Sequence, residues 1–430
     1  MPDFENRSKK LIPLENPSIK QIAGLLNSHG TSSPEQTFDF SSFASENRQY
    51  IESRLTLGDK SIESIHPCTP VQAGMLAEYT RSHGDLYCNR LVLELRKSID
   101  LDRLKTSWSN VMARHEMLRT GFVYLENRDF PFAMVTYSPG QISLPWTERQ
   151  TRPSKEELEQ QQRSMYENLG LPPWFIVIRN LSSVVGLELT AMHSLYDAQS
   201  MELILSDVAA EYQGNHPTRQ QPVSVSRILG PILSAASSTS KDAEHFWRDV
   251  GSNFQTTNFP NLSPSIVQEP EVIVRSQRIS KSLDMINERC KEIGVTLQAA
   301  GQAAWARLLS AYTGETNISF GLVLSGRDVA LDAQDAVFPC LVTLPFHCLV
   351  EGKNQDLISS IVKTNASLMK YQFTPLSKIQ RLFKTDGALM DTLFAYQKLS
   401  HTSQEAQLWE VVEDDARIDV SIYIYIYISF

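Results

Sequence analysis

Two residues in the middle of the chain have the types and spacing for acid–base chemistry: His193 and Asp197, within MHSLYDAQS (Met192 to Ser200). Imidazole titrates near neutrality, so it can take a proton from an attacking amine or hydroxyl. The aspartate four residues on suits a helix N-cap, where a short carboxylate accepts from the free N–H groups of the first turn. Val184 to Met192 is an apolar strand candidate. Gln199 to Tyr212 follows as a helix, because Met201, Ile204, Leu205, Val208 and Tyr212 share a face. His193 then stands where a strand ends and a turn begins, a position from which the scaffold can aim a side chain into a cleft. HxxxD alone is short and common, and a surface histidine followed by a capping aspartate satisfies it equally well.

The elements that must position these residues form two α+β halves. In the first, Thr69 and Pro70 read as the N-cap and first position of a helix through Gln72, Met75, Leu76 and Tyr79. Asp100 opens another, with Leu101, Leu104, Trp108, Val111 and Met112 on one face. A polar, helical insert and a strand at Trp174 to Arg179 come next. Residues 213–240, rich in Gln, Pro and Ser, read as a linker. The second half continues with a strand at Val272 to Ile279, a helix near Leu283 to Ile293, and an Ala-rich helix capped by Thr296 and ended by Gly314. Strands at Ile318 to Leu324 and Leu341 to Leu349, a helix at Leu357 to Met369, and a strand at Thr392 to Gln397 complete it.

Composition narrows the function classes. A chain of 430 residues, 42% hydrophobic, exceeds one core of ordinary size and predicts two domains. A net charge of −9, with no Lys/Arg cluster, argues against a nucleic-acid partner. No apolar run approaches the roughly 20 residues of a membrane span, and the amino end lacks a secretory core. The five cysteines form no CxxC pair and no metal-like spacing, which predicts reduced thiols in a cytoplasmic protein. No Gly-rich phosphate loop appears, so ATP-dependent adenylation is not expected of this chain.

The neighbouring motifs give HxxxD its context. HPCTPVQAGML (His66 to Leu76), RHEMLRTGF (Arg114 to Phe122) and MHSLYDAQS occur in order. Together they resemble the condensation domain of nonribosomal peptide synthetases, whose motifs read SxxQxxL, RHExLRTxF and HHxxxDG. HFWRDV (His245 to Val250), SGRD (Ser325 to Asp328), FPCLVTLPF (Phe338 to Phe346), TPLSKIQR (Thr374 to Arg381) and MDTLFAYQK (Met390 to Lys398) look like later motifs of that family, so the resemblance spans about residues 61–419. It implies two halves resembling chloramphenicol acetyltransferase, set in a V as a pseudo-dimer, with the active site between them. It also implies the work: an upstream peptidyl carrier domain delivers an acyl or peptidyl thioester, a downstream one presents an aminoacyl group, and an adenylation domain of the same synthetase loads the carriers. Phosphopantetheine belongs to those partner carriers, and neither cofactor nor metal is expected on this chain. Residue by residue, the resemblance puts His193 on the histidine assigned to general base or amine positioning. Asp197 falls on the structural aspartate, with Arg114 as its expected ion-pair partner and Arg119 as the fallback.

Several positions depart from the family pattern. Met192 replaces the first motif histidine, where a methionine can fill the same buried space. Ala198 replaces the glycine, adding a Cβ where a glycine permits close backbone approach to the thioester, and Phe338 and Val342 replace the glycine and asparagine of GxFVNT. TPLxxIQR and DTLFxxQK look most like fungal siderophore synthetases of the ferrichrome type. A terminal condensation-like domain that releases or cyclises the peptide, a coenzyme-A-dependent acyltransferase and an inactive docking remnant stay open as alternatives.

The expected domain division is a linker over 1–60, subdomains over 61–230 and 231–430, and a carrier-like helix at Leu14 to Asn27. The closing IYIYIYISF can form a strand by its alternation, or reflect a translated two-base repeat that interrupts an incomplete domain.

Overall fold

The computed structural model describes residues 38–55, 61–151, 154–180, 185–215, 221–237, 241–259, 279–385, 387–399, 408–415 and 422–429. The helix near Ile19 to Leu26, the Leu14 to Asn27 segment and, apart from Ile279, the strand from Val272 lie outside them. Phe38 to Phe430 fold as one unit.

The sheet that carries the candidate site has five strands: β2 (Cys88–Leu95), β5 (Trp146–Arg149), β6 (Trp174–Asn180), β7 (Val185–Met192) and β11 (Trp409–Asp415), in the order β11-β2-β7-β6-β5. All its pairs are antiparallel except β5 with β6. β7 is central and buried from Gly186 to Met192. Its two buried faces differ: Leu187, Leu189 and Ala191 join the apolar core, while Glu188 on the other face is paired with Arg179 and Arg90. Helices α3 (Leu101–Arg114) and α5 (Ala198–Gln213) give Leu104, Trp108, Val111, Ile204 and Val208 to the core that holds Ile176, Ile178, Leu187 and Leu189.

Capping chemistry sets the helix starts. In α2 (Pro70–Arg81), the Thr69 side chain accepts from Gln72 N–H while the Gln72 side chain accepts from Thr69 N–H, a reciprocal box. Ser154 and Glu157 repeat it at α4 (Lys155–Glu167), the polar insert. The stretch read as a linker contains helix α6 (Val225–Ser237), which buries Val225, Ile228, Leu229, Ile232 and Leu233. That i, i+3, i+4, i+7 spacing is a clear amphipathic stripe, and the surrounding Ser, Gln and Pro hid it. Pro231 interrupts the helix on its exposed face, where the carbonyl left without a partner can meet water.

A second sheet contains β8 (Asn317–Leu324), β9 (Val342–Leu349), β10 (Thr392–Leu399) and β12 (Ile422–Ser429), ordered β12-β10-β8-β9. Its core joins Phe320, Phe346 and Phe394 to Trp247 of α7 (Lys241–Ser252), Ala306 and Leu309 of α9 (Leu297–Thr313) and Ile361 of α10 (Asn354–Lys370). Thr296 caps α9 and Gly314 ends it at φ 77°, a left-handed conformation that suits glycine. α8 (Leu283–Glu292) precedes α9, and α11 (Leu376–Phe383) follows α10. The Tyr-Ile repeat is strand β12, parallel to β10 from Thr392 opposite Ile422 to Leu399 opposite Ser429. Between β10 and β12 the chain contributes β11 to the other sheet, beside β2. The two sheets are therefore tied by a strand exchange as well as by the chain near residue 230.

A third, three-stranded sheet, β1-β4-β3, comprises β1 (Ile62–Pro67), β3 (Thr120–Tyr124) and β4 (Phe132–Tyr137). Helix α1 (Phe40–Arg54), within the residues read as linker, packs Phe43 and Ile51 into a core with Ile65, Val123 and Val135.

Candidate functional site

β7 delivers its last residue, Met192, fully buried, to the end of the five-stranded sheet. The chain then makes one short 3₁₀ turn, His193–Leu195. Backbone hydrogen bonds fix the turn's entry: Met192 N–H donates to Pro173 O at 3.0 Å and His193 N–H to Tyr87 O at 2.8 Å. Tyr196 returns the chain to an extended conformation, and its carbonyl lies 3.0 Å from His193 Nδ1. A carbonyl only accepts, so the neutral imidazole carries its proton on Nδ1 and its lone pair on Nε2. The Tyr196 ring lies 5.1 Å from the imidazole, centroid to centroid, and its hydroxyl accepts from Asn89 Nδ2 at 3.1 Å. Burial pushes the His193 pKa below 6.5, against opposing contributions from the Asp197 carboxylate and the Tyr196 carbonyl. The net direction favours the neutral ring, the form able to accept a proton.

The turn is also held from α2. Gln72, fully buried, donates from Nε2 to Ser194 O at 2.9 Å. Its sequence signal, SxxQ with threonine in the first place, was visible, but nothing in the sequence tied it to the histidine turn.

Asp197 caps α5, accepting from Ser200 N–H at 2.8 Å. The expected partner assignment needs correction. Arg114, at the end of α3, pairs with Asp207 in the middle of α5 (Nε to Oδ2, 3.3 Å), and His115 Nε2 reaches the same oxygen at 2.8 Å. Arg119, the fallback, pairs with Glu63 at 2.5 Å. Asp197 instead pairs with Arg327 of the SGRD motif, at 2.5 Å from Nη2 to Oδ1 and 3.2 Å from Nε to Oδ2. The reason is placement along α5: Asp207 lies against α3, whereas Asp197 sits at the helix's amino end, beside the loop between β8 and β9.

Arg327 is 1% exposed, and every guanidinium nitrogen has a partner. Nη1 donates to Ala333 O (2.5 Å) and Ala336 O (3.0 Å); Nη2 also donates to Ser200 Oγ (2.9 Å) and Phe338 O (3.0 Å). Cys340 N–H reaches Asp197 Oδ2 at 3.0 Å, so both carboxylate oxygens are occupied. A buried ion pair is tolerable when its remaining hydrogen-bonding capacity is met in this way. Gly326 makes the loop possible: its φ is 61°, and a Cβ there would lie 2.0 Å from Cys340 O. Burial raises the Cys340 thiol to about 12, so it is no nucleophile at neutral pH.

None of the departures from the family pattern supplies a side-chain hydrogen bond to the Asp197–Arg327 network. Met192 fills core space. Ala198 is the first residue of α5, a position with ordinary helical backbone. Phe338 enters the Arg327 network through its backbone alone, and Val342 begins β9 as a buried side chain. Among the described residues, no three of His, Cys, Asp or Glu come together as metal ligands, and no helix is long and apolar enough to cross a membrane.

Comparison with known proteins follows the same lines. The family described as "Condensation domain" matches residues 62–424. The chain is 43% identical over 419 residues to "Nonribosomal peptide synthetase sidC" of Arthroderma benhamiae, covering 95% of this chain and 8% of that protein. It is 32% identical over 335 residues to the "Hydroxamate-type ferrichrome siderophore peptide synthetase" of Schizosaccharomyces pombe, covering 76% of this chain and 7% of that protein. The chain thus spans less than a tenth of these relatives. Two solved structures share its fold. The condensation domain of the monacolin K polyketide synthase MokA matches at TM-score 0.66 and 16% identity, over 85% of this chain and 90% of that one. The first condensation domain of the calcium-dependent antibiotic synthetase matches at 0.63 and 14%, over 84% and 87%.

Proposed function

This chain belongs to the condensation-domain family, an α+β fold of acyl and peptidyl transferases, and from that premise we propose that it forms an amide bond between two carrier-bound substrates. The amine of a carrier-bound amino acid attacks the thioester carbonyl of an upstream acyl or peptidyl group. The C–N bond forms, the C–S bond breaks, and the attacking nitrogen loses a proton while the departing sulfur gains one. His193 Nε2 takes the proton from nitrogen and returns it to sulfur. The observation that carries this reading is the Nδ1 contact to Tyr196 O, which directs the lone pair to Nε2 in a half-buried ring whose pKa is lowered. Asp197 is consumed by Arg327, Ser200 and Cys340, so its part is to hold the turn and α5 together.

The partners are peptidyl carrier domains on either side, bearing the phosphopantetheine arms, and the adenylation domain that charges them. Names of similar proteins, sidC and a ferrichrome synthetase, support hydroxamate siderophore assembly as the setting.

Single-turnover transfer between loaded carriers tests the reading. His193→Ala should lower the rate by roughly 10²- to 10⁴-fold, the usual range for a general base. The His193 ring, followed by NMR, should titrate below 6.5. Unchanged transfer in the variant would remove His193 from the chemistry.

A further inference from the structure

We propose that Gln72 is a positioning residue for His193: by gripping the Ser194 carbonyl it holds the turn that keeps the imidazole proton on Nδ1 and the lone pair on Nε2. The catalytic half of this statement rests on the proposed role of His193; the tautomer half does not. Gln72 is fully buried at the third position of α2, and its two amide ends do different work. Oε1 accepts from Thr69 N–H at 2.9 Å, completing the helix cap. Nε2 points the other way, to Ser194 O at 2.9 Å, a residue 122 positions on in sequence. Flipping the amide would set an NH₂ against the Thr69 N–H and an oxygen against the Ser194 carbonyl, so the network admits one orientation. A helix cap needs only the first bond.

The second bond matters because of where it lands. Ser194 is fully buried, so its carbonyl has no solvent to fall back on if the amide is removed. That carbonyl belongs to the peptide plane between Ser194 and Leu195, inside the 3₁₀ turn that starts at His193. Two residues later comes the Tyr196 carbonyl that receives the Nδ1 proton. Holding the plane therefore holds the distance between the imidazole and its acceptor. Without the amide, the turn rotates to find another partner for Ser194 O, the Nδ1 contact opens, and the ring is free to carry its proton on either nitrogen.

Two variants separate positioning from helix stability. Gln72→Met keeps the side chain's length and removes both amide groups. Thr69→Ala removes the threonine hydroxyl from the cap but leaves both Gln72 bonds. Single-turnover rates with loaded carriers, and ¹⁵N signals of the imidazole assigned by comparison with His193→Ala, are the readouts. Gln72→Met should cut the maximal rate about 10- to 100-fold, the scale of a misplaced reacting group. It should leave the half-saturating carrier concentration unchanged and convert His193 from one tautomer to a mixture. Thr69→Ala should lower the melting temperature with neither effect. Should Gln72→Met not fold, Gln72→Glu keeps an acceptor toward Thr69 and sets an oxygen against Ser194 O; the same readouts then decide. An unchanged tautomer and rate, or rates that fall in step with melting temperature in both variants, would overturn the proposal. If His193→Ala transfers normally, the tautomer readout alone decides it.

Discussion

Replacing Asp197 with alanine strands a guanidinium that is 1% exposed. Breaking a buried ion pair by removing one partner costs about 3–5 kcal/mol, and losing the Ser200 N–H cap adds about 1 kcal/mol. Arg327 keeps three carbonyls and the Ser200 hydroxyl, which places the pair's share toward the lower end of that range. With ~2.1 cal/mol/K per residue of unfolding entropy, a unit running from Phe38 to Phe430 loses a little over ~1 °C of Tm per kcal/mol, so Asp197→Ala should melt ~4–6 °C lower. The partner is identified by a double-mutant cycle. Asp197→Ala with Arg327→Met should cost less than the sum of the single changes, because the second substitution removes the charge the first leaves unpaired. Asp197→Ala with Arg114→Met should be additive, since Arg114 serves Asp207. Thermal melts and transfer assays on all five variants supply both numbers. Native stability with lost transfer in Asp197→Ala would refute the structural role, and coupling to Arg114 rather than Arg327 would refute the pairing.

Two further outcomes follow from a buried histidine and a constrained glycine. His66 on β1 is buried, with its pKa lowered from 6.5 to about 4 by desolvation, so the unfolded chain binds the extra proton between those values. Stability should be full above pH 6.5 and fall by ~3 kcal/mol as pH drops to 4; His66→Leu should flatten that slope, and equal slopes in the two proteins would contradict the burial argument. Gly326→Ala meets both a positive φ and a backbone oxygen 2.0 Å from the new Cβ, so it should cost at least ~2–3 kcal/mol and lower transfer, whereas a stable, active variant would show that the loop can shift.

What the sequence made legible was local. Thr69, Asp100, Thr296 and Gly314 mark helix ends because a cap is an affair of three or four neighbouring residues, and each mark is met. His193 at the end of β7 was readable for the same reason, from an apolar run followed by a turn. What failed was long-range. Arg114 and Arg327 are equally plausible partners for a buried carboxylate on paper, and only the packing of α5 against α3 and of the β8–β9 loop against its amino end separates them. β2 is not legible because CNRLVLEL mixes buried and exposed positions without clean alternation, and β11 because its partner strand β2 is remote in sequence. α6 is masked because Ser, Gln and Pro surround its apolar stripe.

The substitutions that set this chain apart from the family pattern can be weighed by the contacts they touch. His193 is oriented by a Tyr196 carbonyl and a turn bonded to Gln72; that turn is joined to α5 by Asp197, which is held by Arg327, the Ser200 backbone and the Cys340 backbone. None of these atoms comes from the side chains of Met192, Ala198, Phe338 or Val342. Phe338 contributes its N–H to Ser200 Oγ and its carbonyl to Arg327, groups every residue other than proline provides. Ala198, as the first residue of a helix, needs no left-handed backbone, so what its Cβ changes is the space open to a thioester beside the turn. The four altered side chains therefore leave the hydrogen bonds of the His193 turn and of the Asp197–Arg327 pair untouched. The Gln72, Gly326 and Arg327 contacts hold the His193 turn and the loop beside it without help from those four side chains.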